Sequence, residues 1–70
     1  MNDTIEITVN GQKENVAVNS TLSFLIRHFK EYDTDLIVEH NGRFVYPRRY
    51  AEVTVREGDI IEFINPNIGG

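Results

Sequence analysis

Seventy residues make one small domain, and 11 acidic against 7 basic side chains leave it at −4. That balance disfavours a phosphate backbone or an anionic membrane as partner and suits a basic docking face. The chain has no cysteine, which excludes disulfide frameworks, cysteine zinc sites, iron–sulfur clusters and thiol catalysis.

The first segment, TIEITVNG, alternates Ile5, Ile7 and Val9 with Thr4, Glu6 and Thr8, which predicts a half-buried strand. Asn10-Gly11 is a tight hairpin signal, because both central residues of a type I′ turn need positive φ. The returning strand, KENVAVN, is expected to point Val16 and Val18 inward. Asn19-Ser20-Thr21 offers cap acceptors for a helix, and Leu22, Leu25, Ile26 and Phe29 form its apolar stripe. Arg27, His28 and Lys30 suit the negative end of that helix, and KEYDTD reads as its exit loop.

LIVEH is a third strand with Leu36 and Val38 on one face and Ile37 and Glu39 on the other. Asn41-Gly42 is a second tight turn, RFVY a short strand, and Pro47 its end, since proline cannot donate to a ladder. Residues 48–59 are expected to be a connection: a loose turn, a short extended piece and a Glu57-Gly58-Asp59 turn. IIEFIN is the last strand, with Ile61 and Phe63 on one face and Ile60, Glu62 and Ile64 on the other. Two hairpins, one crossover helix and a last strand give an α+β, β-grasp arrangement. It is a mixed four- to five-stranded sheet with the helix across one face, spanning residues 1–64, followed by a tail over 65–70.

A chain of this size buries about 60% of its unfolded surface, leaving little room for an internal active site beside the core. No basic stretch leads into an apolar run at the start, and no apolar run nears the ~18 residues of a membrane span. The expected location is the cytoplasm.

His28 and His40 lack any metal-ligand spacing and read as surface histidines at a helix end and a strand end, so no metal is expected. Asp33, Asp35, Glu57 and Asp59 read as solvated turn acids, and Ser20, Thr21 and Ser23 as capping residues without a catalytic base. Gly11, Gly42 and Gly58 are isolated turn glycines and form no phosphate-binding loop. The stretch YPRRY, Tyr46 to Tyr50, could stack and charge-pair with RNA. The acidic chain favours a turn whose tyrosines cover the core edge.

The tail is the exception. Pro66 stops strand pairing, Asn67 and Ile68 extend beyond it, and Gly69-Gly70 gives a thin end without side chains. Such an end can thread a channel where a β-carbon would clash, and it leaves an open carboxylate. A frayed terminus is the plainer alternative. A chance Gly-Gly end arises only about once in 200, at a glycine frequency of ~7%.

These segments together resemble the ubiquitin-like sulfur carriers of the ThiS/MoaD family, and most of all the ThiS branch. The resemblance rests on ITVNG, STLSFLIRHF, LIVEHNGRFVYPRRY, EGDIIEFI and the final Gly-Gly. Asn41, Val45, Pro47, Arg48 and Tyr50 follow the ThiS pattern, with Tyr50 where the family usually has tryptophan. The proline in NPNIGG is closer to MoaD.

The resemblance implies that the chain is a co-substrate with no catalytic residue and no bound cofactor. An E1-like (ThiF-like) enzyme would adenylate the Gly70 carboxylate with ATP, a cysteine-desulfurase relay would supply sulfur, and a thiazole synthase (ThiG-like) would take it for thiamine. Asn67, Ile68 and Gly69 would thread the partner's channel. Ile37, Phe44, Ile60, Glu62 and Ile64 would dock on the partner from the face opposite the helix. The other readings are a MoaD-like donor to molybdopterin synthase, a ubiquitin-like modifier, and a plain β-grasp binding module.

Overall fold

A computed structural model describes residues 3–66. Strand β1 (Thr4–Val9) turns at Asn10-Gly11 into antiparallel β2 (Gln12–Ala17). Both turn residues have positive φ, 49° and 84°, as the hairpin requires. Helix α1 (Leu22–His28) is capped by extended Thr21, whose hydroxyl accepts the Phe24 amide at 3.1 Å. Then come β3 (Ile37–His40), β4 (Arg43–Val45), a 3-10 helix (Pro47–Arg49) and β5 (Ile60–Ile64).

The sheet order is β2-β1-β5-β3-β4, with β5 parallel to β1 and antiparallel to β3. One face of the sheet supplies Ile7, Val9, Val16, Val38, Ile61 and Phe63, and α1 presses Leu22 and Leu25 onto it. Ile5, Ile26, Phe29 and Leu36 close the margins. This is the expected β-grasp, a mixed sheet with five strands and one helix.

Two expectations are corrected. Val18 does not point inward: β2 ends at Ala17, and Val18 is 49% exposed. Its amide is taken by Asp3 O, and Asn19 at φ 70° already turns the chain toward α1. The connection after β4 is not a loose turn. Pro47 sits in the first turn of the 3-10 helix, where its missing N–H costs nothing. Val55 is buried beyond it, held by its amide to Ser20 O, while Thr54 bridges Thr21.

Helix α1 ends in a tight closure. Lys30 takes φ 58°, the Glu31 amide donates to Ile26 O and the Lys30 amide to Arg27 O. This is a Schellman closure with lysine in the left-handed position that glycine usually fills. It sets Glu31 at the helix exit, beside the end of the sheet.

Candidate functional site

The last strand carries the tail, so its anchorage comes first. The Asn10 side chain, from the first hairpin turn, accepts the Phe63 amide at 2.7 Å. The Asn41 side-chain oxygen, from the second, accepts the Ile60 amide at 2.8 Å, and the Asn41 backbone N–H donates to Ile60 O. Each turn asparagine thus reverses one hairpin and braces β5. The sequence shows only their turn role, because the amide bond to a distant strand has no local pattern.

At the exit from β5, Asn65 is half-buried and its Nδ2 donates to Glu31 Oε1 at 3.2 Å. The tail therefore leaves the sheet at a fixed point beside the C-terminus of α1. Asn67, Ile68, Gly69 and Gly70 lie outside the described residues.

The sheet face away from α1 gathers all five residues expected to dock. Ile37 lies opposite Ile64, Glu39 opposite Glu62, Phe44 opposite Glu39, and Thr8 opposite Ile60. Ile60 and Phe44 are about half exposed and Ile64 39% exposed, whereas Ile37 and Glu62 are half-buried. An apolar row thus flanks two carboxylates that face each other across β3 and β5. Like charges placed this way cost up to about 1 kcal/mol in a free sheet, and a cationic partner would relieve them.

The other titratable groups are structural. His40 is half-buried rather than a free surface histidine: its Nε2 meets Asp59 Oδ2 at 2.7 Å. Asp59 is correspondingly no solvated turn acid. Burial by itself would raise its pKa. Hydrogen bonds from His40, Asn41 Nδ2 and the Arg56 amide, with the His40 charge, outweigh that and hold it below the ordinary value. Glu57 accepts the Glu6 amide at 3.0 Å, closing the same turn onto β1. His28 is exposed, stacked on Phe24 and edge-on to Phe29.

Of the two tyrosines expected over the core edge, Tyr50 packs against the core, and its buried hydroxyl has no hydrogen-bond partner among the described residues. Tyr46 is 56% exposed and turned to Phe44 instead. Among the described residues no cluster of His, Asp and Glu could hold a metal ion.

β5 is thus braced by both hairpin turns, tethered at Asn65 and apolar on its outer face at Ile60 and Ile64. The ThiS family matches residues 2–70, almost the full chain. The chain belongs to the ThiS family. Its fold agrees with that of a solved ThiS, the thiamine biosynthesis protein from Geobacter metallireducens. The two are 29% identical and superpose with a TM-score of 0.82, over 94% of this chain and 100% of the other. No curated protein matches the sequence. In this ThiS-family chain, no helix among the described residues is long and apolar enough to cross a membrane.

Proposed function

We propose that this chain is a sulfur carrier for thiamine biosynthesis and that the carboxylate of Gly70 is its working group. The observation that carries the reading is membership of the ThiS family by a match that runs through residue 70. A carboxylate is a poor electrophile until one oxygen becomes a good leaving group. An E1-like partner would join it to the adenylyl group of ATP with release of pyrophosphate. A persulfide from a cysteine-desulfurase relay would then displace AMP to give an acyl disulfide, and a partner thiol, itself ending in a disulfide with the sulfur donor, would release the thiocarboxylate for a thiazole synthase.

The chain itself supplies no catalytic side chain in this scheme and needs no cofactor of its own. Gly69 and Gly70 carry no side chain to obstruct a partner's channel, with Asn67 and Ile68 as the lead-in. Ile37, Phe44, Ile60 and Ile64 would give apolar contact, and Glu62 beside Glu39 would favour a basic partner surface. The geometry supports this division of labour, because the apolar face ends where the tail begins: Ile64 is the last residue of β5.

The test is intact-mass spectrometry after incubation with ATP, sulfide and an E1-like enzyme. The expected result is exchange of one oxygen for sulfur, localised to the peptide ending at Gly70 and absent from a chain lacking Gly69-Gly70. No exchange with an enzyme that is active on another carrier would overturn the reading.

A further inference from the structure

Positive charge is concentrated at one edge of this acidic molecule. Residues 40–51, HNGRFVYPRRYA, hold three arginines and no acid, so this stretch carries +3 and the remaining 4 basic and 11 acidic residues carry −7. The stretch lines an open cavity of about 220 Å³ between edge strand β4 and the 3-10 helix. Arg43, Arg49, Phe44, Tyr46 and Val53 are among its walls.

The three arginines are not equally committed. Arg48 lies over the Tyr46 ring at 5.0 Å from its centre, which fixes that ring. Arg49 Nε holds Glu52 Oε1 at 3.0 Å, a pair more than half exposed on both sides and so weak and exchangeable. Arg43 has no carboxylate within ion-pair distance among the described residues. Phe44 and Tyr46 meet edge-to-face at 4.9 Å and give the cavity its apolar side, with Phe44 on the outer face of β4 and Arg43 on the opposite one.

We propose that this arginine–aromatic cavity docks an acidic segment of a partner protein, in which a carboxylate side chain lies next to an aromatic or large apolar one. The carboxylate engages Arg43 and displaces Glu52 from Arg49, and the neighbouring apolar side chain lies on Phe44 and Tyr46. β4 is an edge strand, so an extended segment can lie alongside it. Charge complementarity selects a short acidic segment over a nucleic acid. A longer polyanion would run from the cavity onto Glu39 and Glu62, one and two strands away. The inference stands apart from the tail chemistry and holds whether or not Gly70 carries sulfur.

The test is an amide chemical-shift titration of the full chain with a short blocked peptide alternating aspartate and phenylalanine. Saturable shifts confined to residues 43–50 and 53 are expected, and Arg43→Ala and Arg49→Ala should each weaken binding about fivefold. Arg43→Lys keeps the charge and should lose less than Arg43→Ala. Both positions are exposed, and unchanged melting would certify the variants. The proposal is overturned by absent or scattered shifts, by equal binding of the same peptide with lysine for aspartate, or by equal binding of a short oligothymidylate. The last result would give the cavity to nucleic acid.

Discussion

Glu31 and Asn65 are 34 positions apart, yet Asn65 Nδ2 donates to Glu31 Oε1 at 3.2 Å and ties the root of the tail to the exit of α1. The bond holds Asn65 in place at the end of β5. Glu31→Ala should cost under about 1 kcal/mol of stability, as expected for one partly exposed polar contact. It should slow the proposed activation of Gly70 several-fold, because a partner would then meet a wider range of exit directions at Asn65. Melting and the mass-exchange rate, measured on the same preparation, check both parts. An unchanged rate would reduce the bond to a fold contact.

Ile64→Asp probes the open face. Ile64 is 39% exposed on β5, so the substitution should lower the melting temperature but leave the chain folded. It would place a third carboxylate beside Glu39 and Glu62 and remove an apolar anchor. We expect at least tenfold weaker binding to the proposed activating enzyme in a titration, as for loss of a central interface contact. Equal affinity would remove this face from the docking assignment.

Tyr50→Phe should not destabilise the domain. The Tyr50 hydroxyl is buried without a hydrogen-bond partner among the described residues, while its ring packs against the core. Removing the hydroxyl relieves that loss of hydration and keeps the ring, for a gain between zero and about 1 kcal/mol in denaturant unfolding. A loss of stability would mean that the hydroxyl has a partner in solution.

The pH profile of stability should fall at both ends for named reasons. Asp59 titrates below its ordinary 3.8 in the fold, so its contribution is present above that value and is lost as pH falls further. Burial raises Tyr50 above its ordinary 10.0, so its contribution is present below pH 10 and is lost as pH rises past it. Asp59→Asn should flatten the acid limb and Tyr50→Phe the alkaline one in melting curves taken across the range.

The strands and helix were legible because their signals are local. Alternation at Ile5, Ile7 and Val9, the Asn-Gly turns and the Leu22-Leu25-Ile26-Phe29 stripe each declare themselves within a few residues. The outer face came from the same period of two: once Ile61 and Phe63 are inside, Ile60, Glu62 and Ile64 must be outside. Val18 is the exception, because alternation does not say where a strand stops, and here the Asp3 carbonyl and left-handed Asn19 stop it at Ala17. The braces from Asn10 and Asn41, the grip of Glu31 on Asn65 and the His40–Asp59 pair join residues distant in sequence. Their partners are chosen by topology, which no short pattern encodes. Val55 was hidden for a related reason: it is buried through bonds to the segment before α1, within a stretch that reads as a polar connection.

The order of the sheet ties the tail to the history of the chain. The two hairpins, β1–β2 and β3–β4, do not pair with each other, because β5 lies between them. A nascent chain released before residue 60 holds both hairpins and the helix but lacks Ile61 and Phe63, two of the core side chains. Closure of the sheet waits for the segment that leaves the ribosome last among the strands. That segment also carries Ile60 and Ile64 and leads directly into the tail. The core and the outer face are therefore completed by the same strand, in one step of folding.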